Sequence, residues 1–151
     1  MFFAWDQLVS VTGGRWLLSP DSCRADGVCG VFDDSRQAGT GDLFVAIKGE
    51  NVDGHRFIAQ AVENGVCAVC IEEEPDADTA AALRAKGIPC LLVDDCLAAF
   101  HRLAAAHRAR LRDIALVAIT CSSGKTSVRA MLSAVFEHVW PGDVLSTAGN
   151  T

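Results

Sequence analysis

Short apolar runs alternate with helix-patterned stretches along most of this chain, and that alternation restricts its fold more than any other feature. "GDLFVAIKG" (41–49) is an apolar run bracketed by glycines. "HRFIAQAVENG" (55–65) follows, with Phe57, Ile58, Ala61 and Val62 on one helical face and Gly65 as its stop. "VCAVCI" (66–71), an Ala-rich stretch near 76–86, "IPCLLVDD" (88–95) and "CLAAFHRLAAAHRARL" (96–111) repeat the same order. Ahead of them, "AWDQLVSVTGG" (4–14) has helical spacing at Trp5, Leu8 and Val9 and ends in a Gly pair, and "GVCGVFDD" (27–34) is one short apolar run stopped by two acids. Repeated strand–helix units predict an α/β fold with a largely parallel sheet.

The pattern restarts after Arg112. "IALVAIT" (114–120) reads as an apolar strand, residues near 125–138 as an amphipathic helix, and "DVLSTA" (143–148) as another strand. Strand, loop, helix, strand is the opening of a nucleotide-binding sheet, so a boundary near residue 112 divides the chain into domains 1–112 and 113–151. Half of the 151 residues are apolar, enough for a substantial core. A net charge of −6 without a basic stripe argues against a nucleic-acid binder. No apolar run is long enough to cross a bilayer, and the start has an early Asp6 and no basic flank, unlike a signal peptide. The seven cysteines are odd in number and lie in apolar segments, so they read as reduced core residues of a cytoplasmic protein. Cys67 and Cys70 form a C-x-x-C, but on a strand that spacing points them to opposite faces, away from a shared metal.

Two polar stretches carry chemistry. "SSGKTS" (122–127) lies between the apolar run and the helix. Small residues Ser122, Ser123 and Gly124 allow backbone N–H groups to close on phosphate oxygens, with Ser127 next in the helix. Lys125 serves the outer phosphates, and the Thr126 hydroxyl suits Mg²⁺. The helix dipole adds to this preference for an anion. The long G-x-x-x-x-G-K-[ST] pattern is not met, because Ile119 stands where its first glycine belongs; the shorter form would place glycine at Cys121. Cysteine fits there if its φ is negative. The second stretch, 33–58, concentrates Asp34, Ser35, Arg36, Lys48, Asn51, Asp53 and His55 in loops at strand ends, where α/β domains bind ligands. Taken alone, Asp34–Ser35–Arg36 is equally well a solvated turn, and His55 equally well caps its helix.

Together the two stretches resemble the Mur ligase family of peptidoglycan synthesis. "DSR" (34–36), "GDLFVAIKG" (41–49) and "DGHRFI" (53–58) are similar to its uridine-nucleotide domain, and "TCSSGKTS" (120–127) to its ATP loop. Within the family, "SSGKTSVRAM" and "STAGN" most resemble the members that add D-alanyl-D-alanine to UDP-MurNAc-tripeptide. Members that add the third amino acid of the peptide are the alternative. The resemblance implies an ATP- and Mg²⁺-dependent amide ligase working through an acyl phosphate. In it, Lys125 and Thr126 are catalytic and residues 122–127 hold the ATP phosphates. Ser35, Arg36, Lys48, Gly49, Asp53 and His55 would line the UDP-substrate pocket, with Asn150 and Thr151 approaching substrate and metal. The chain then reads as the N-terminal part of a longer enzyme, expected to be inactive alone. A non-catalytic module that binds a UDP-sugar is the reading from a different class.

Overall fold

The computed structural model describes residues 2–23, 25–50 and 52–147. It divides into two units, Met1–Arg112 and Asp113–Thr151. The first holds a five-stranded sheet in the order β2 (Arg15–Leu18), β7 (Cys90–Leu92), β6 (Ala68–Ile71), β5 (Leu43–Val45), β4 (Val31–Phe32). β4 to β7 run parallel, with Phe32 opposite Phe44, Phe44 opposite Val69 and Cys70 opposite Leu91. The α/β fold with a parallel sheet is therefore present.

Strand periodicity sends alternate side chains to two cores. Leu43, Val45, Ala68, Cys70 and Leu91 face one side, where they meet Leu8 of α1 (Trp5–Thr12) and Cys96, Ala99 and Leu103 of α4 (Cys96–Arg110). Phe44, Val69, Ile71 and Cys90 face the other, against Ile58, Ala61 and Val62 of α2 (Ile58–Glu63) and Leu83 of α3 (Ala77–Lys86). The helix ends follow local chemistry. α1 stops at Gly13 in the left-handed region (φ 74°), and α3 at Gly87 (φ 63°), conformations a Cβ resists. α3 and α4 start on Asp76 and Asp95, whose carboxylates accept from Thr79 N and Ala98 N.

Several expectations need correction. "GVCGVFDD" is not one strand. β3 (Gly27–Val28) pairs antiparallel with β1 (Phe3–Ala4) in a separate two-stranded sheet, and the chain breaks at Cys29–Gly30 before entering β4. Gly27 permits the first pairing, since a Cβ there would lie 2.1 Å from Phe3 O. β2, "RWLL", had no sequence signal. It is a four-residue antiparallel edge strand, too short to display a period. Phe57 belongs to a 3₁₀ turn, Gly54–Phe57, and is 40% exposed, so the helical face is Ile58, Ala61 and Val62 alone. Cys67 precedes β6, where strict alternation does not yet apply, and packs beside the same core as Cys70.

The second unit contains α5 (Lys125–Val139), as the periodicity predicted. Residues 114–120 are not a strand, and neither are 143–147; residue 148 lies outside the described residues. An apolar run signals a segment that buries well, whereas a strand exists only when a neighbour completes its ladder. Among the described residues no such ladder forms there, and Leu116 and Val117 are exposed.

Candidate functional site

Four parallel strands end at one edge of the first unit's sheet, and the polar loops that follow them gather there. The turn after β4 carries Ser35 and Arg36. The loop after β5 carries Lys48, Gly49, Asp53 and His55. Glu72 and Glu73 follow β6, and Asp94 and Asp95 follow β7.

Ser35 is 5% exposed, and its hydroxyl donates to Gln60 Oε1 at 2.7 Å. Its carbonyl accepts from Asn64 Nδ2 at 2.7 Å, so two polar residues of the α2 region fix the turn from beneath. Arg36 lies outside, gripping the Asp34 carboxylate through Nε and a terminal nitrogen at 2.9 and 2.7 Å. That contact holds the Asp34 carboxyl well below the usual carboxylate range and raises the guanidinium further. The Arg36 side chain remains 79% exposed, a cation presented to solvent at the strand end.

The loop after β5 is a miniature hairpin. Lys48 and Asp53 form an antiparallel bridge, Gly49 N donates to Val52 O at 2.9 Å, and Gly54 N donates to Ile47 O at 2.9 Å. Asp53 closes it by accepting from His55 N at 2.9 Å, which lowers its pKa. Lys48 Nζ reaches Glu73 at 2.6 Å, and this bond raises the lysine's pKa. Gly54 is a geometric requirement, because a Cβ would stand 2.6 Å from Ile47 O and 2.7 Å from Ile47 N. Gly54→Ala is expected to cost about 1–3 kcal/mol through overpacking against backbone that cannot shift. Chemical denaturation of the chain checks this; a variant as stable as the parent would show that the hairpin gives way.

In the second unit the loop 121–124 leads into α5 with Gly124 at φ 81°. No other described residue but glycine has positive φ, so Cys121 occupies a glycine's place without strain. Lys125 Nζ donates to Cys121 O at 2.6 Å, folding the ammonium over the loop. Val128 N makes the first helical bond, to Gly124 O at 3.0 Å, and no acid stands in the first turn of α5. The N–H groups of Lys125, Thr126 and Ser127 thus precede that bond at the positive end of a 15-residue helix beside a lysine, a donor set that fits phosphate. Ser122, Ser123 and Thr126 border the same turn. Among the described residues no cluster of three His, Cys, Asp or Glu is placed to hold a metal ion. The Thr126 hydroxyl is then one protein ligand of the kind Mg²⁺ accepts, phosphate oxygens and water being the others it commonly uses. Asn150 and Thr151 lie outside the described residues.

Sequence reading missed the partners of these residues. Gln60 and Asn64 are spaced i, i+4 along α2, a pattern that marks a shared polar face. Glu72 ends an apolar run at the strand edge, and its Oε2 accepts from Cys96 N at 2.8 Å. It also helps line a cleft of about 340 Å³ with Gly13, Gly14, Arg15, Val93 and Asp94.

The profile described as "Mur ligase family, catalytic domain" matches residues 28–108, all within the first unit. UDP-N-acetylmuramoyl-tripeptide--D-alanyl-D-alanine ligase of Treponema pallidum is 34% identical over 99% of this chain. UDP-N-acetylmuramoyl-L-alanyl-D-glutamate--2,6-diaminopimelate ligase of Syntrophomonas wolfei is 37% identical over 74%. The crystal structure of MurF from Acinetobacter baumannii superposes with a TM-score of 0.73 at 33% identity, covering 91% of this chain. MurF ligase from Thermotoga maritima in complex with ADP gives 0.53 at 28%, covering 76%. The chain spans 32% of the Treponema protein and 22% of the Syntrophomonas one, and 28% and 26% of the two crystallised chains. With more than half its residues matched by the family profile, the chain belongs to the Mur ligase family.

Proposed function

We propose that this chain supplies the UDP-substrate domain, 1–112, and the opening of the ATP-binding domain, 113–151, of a cytoplasmic ligase. That ligase joins D-alanyl-D-alanine to UDP-MurNAc-tripeptide. One observation carries the reading: a single chain holds both a phosphate-type loop on α5 and, in a separate unit, exposed cations at the ends of parallel strands. The likeness to the Treponema ligase, and to a MurF crystallised with ADP, supports it. All seven cysteines are free, and no helix among the described residues is long and apolar enough to cross a membrane.

In the proposed reaction a carboxylate oxygen of the tripeptide attacks the γ-phosphorus of ATP and ADP leaves. The amine of D-alanyl-D-alanine then attacks the acyl carbon, and inorganic phosphate departs as the amide forms. Lys125 exchanges the Cys121 carbonyl for phosphate oxygens and offsets the charge that moves to the β/γ bridge. Backbone N–H groups of 122–127 orient the phosphates. Mg²⁺, held in part by Thr126, would supply electrostatic stabilisation of the same oxygens. Arg36 and Lys48 serve the diphosphate of the UDP-substrate, each releasing a carboxylate partner to do so.

Assay of the full-length protein with ATP, UDP-MurNAc-tripeptide and D-alanyl-D-alanine is expected to give amide, ADP and phosphate. Product only with a dipeptide substrate and a diamino acid would assign the chain to the diaminopimelate-adding ligases, and no product with either would favour a binding module. Arg36→Ala is expected to weaken UDP-substrate binding roughly 10–100-fold, the size of a lost charge-assisted contact, with ATP turnover at saturating substrate little changed. Calorimetric titration checks the first and steady-state kinetics the second; unchanged affinity removes Arg36 from the pocket.

A further inference from the structure

Both ring nitrogens of His55 are engaged within the protein. Nδ1 lies 2.8 Å from Asp53 Oδ1, and Nε2 lies 3.3 Å from Glu72 N. A backbone N–H can only donate, so Nε2 must present its lone pair; Nδ1 then carries the proton and donates to the carboxylate. One neutral tautomer satisfies all three groups. The imidazole therefore joins two loops, the hairpin after β5 and the turn after β6. Glu72 passes the connection on, since its carboxylate accepts from the first N–H of α4 at 2.8 Å.

A second connection runs in parallel. Lys48, at the base of the same hairpin, bonds Glu73, the next residue of the same turn, at 2.6 Å. The two differ in setting. The His55 side chain is only 16% exposed, whereas those of Lys48 and Glu73 are 49% and 60% exposed. An exposed ion pair is weak and exchanges readily for another anion. The enclosed imidazole bond does not compete with a ligand, because no ring nitrogen remains to offer one.

We propose that His55 is a positioning residue: through Glu72 N–H it clamps the hairpin 47–54 so that Lys48 stays aimed at the ligand's diphosphate when it leaves Glu73. This rests on the reading of these loops as the UDP-substrate pocket, and it gives His55 a role acting through Lys48 in place of a direct contact.

The test uses the 151-residue chain and UDP-N-acetylglucosamine, whose esterified diphosphate does not titrate near neutrality. Long-range proton–nitrogen NMR is expected to show His55 as the Nδ1–H tautomer, with the Glu72 amide protected from exchange. Titration with the nucleotide sugar is expected to leave the ring nitrogen shifts in place. His55→Ala is expected to weaken binding about tenfold. His55→Gln, whose amide oxygen reaches where Nε2 stood, is expected to recover most of it. An Nε2–H tautomer, ring shifts on titration, or a glutamine variant no better than alanine would overturn the proposal. If the parent chain binds no nucleotide sugar, the pocket reading fails, while tautomer and amide protection still decide whether the clamp exists.

Discussion

Lys125→Ala is expected to lower ATP turnover by the full-length ligase at least about 10²–10³-fold, the range seen when one preorganised donor to a developing charge is removed. Lys125 is the first residue of α5, and its ammonium lies 2.6 Å from the Cys121 carbonyl over the mouth of the loop. Phosphoryl transfer leaves a protein little covalent work, so positioning and charge carry the catalysis. Alanine keeps the helix start, being the best helix former, so the loss belongs to the charge and not to the fold. UDP-substrate affinity should stay within about twofold, because Arg36 and Lys48, the residues proposed to bind it, belong to the other unit. Lys125→Arg should recover only part of the rate, since a planar fork does not replace a compact ammonium curled over a tight turn. Initial rates of ADP release, paired with calorimetry for the nucleotide sugar, measure both. A Lys125→Ala enzyme with near-normal kcat would remove the lysine from the phosphate site.

What the sequence disclosed and withheld follows from which forces act locally. β5, β6 and β7 were legible because parallel strands buried on both faces must be continuous apolar runs, and "LFV", "AVCI" and "CLL" are that. α1 was legible because the Gly13–Gly14 pair marks its end, and α3 because an Ala-rich stretch favours a helix. β2 was not, since an antiparallel edge strand is decided by its neighbour β7, far away in sequence. The run at 114–120 shows the converse: its composition invites a strand, yet pairing is a tertiary event that composition does not encode. At the candidate site the charged residues Arg36 and Lys48 stand out in polar loops. The residues that brace the neighbouring Ser35 and His55 do not. Gln60, Asn64 and Glu72 act through single hydrogen bonds across 17 to 29 residues of chain, which no local pattern announces.

Two phenylalanines with similar sequence credentials should respond very differently to the same truncation. Phe44 sits in the middle of β5 with no exposed surface, packed in the core that α2 and α3 cover. Removing its ring takes away transfer free energy and leaves a cavity, so Phe44→Ala is expected to cost about 3–5 kcal/mol. Against the roughly 5–15 kcal/mol that holds a domain folded, that is from about a fifth to all of the margin. Phe57 also seemed a core residue from its spacing, but it closes a 3₁₀ turn, is 40% exposed and belongs to neither core. Phe57→Ala is therefore expected to cost about 1 kcal/mol or less. Urea denaturation of both variants decides between the two-core arrangement and a single helical face running from Phe57 to Val62. Equal losses would mean that α2 starts earlier and packs deeper than the turn at Gly54–Phe57 allows. The consequence reaches the site as well, because β5 runs directly into the hairpin that carries Lys48. On the proposed reading of Lys48, a Phe44→Ala chain held folded by osmolyte should bind the nucleotide sugar more weakly than its Phe57→Ala counterpart, since β5 has lost a core side chain just ahead of the hairpin.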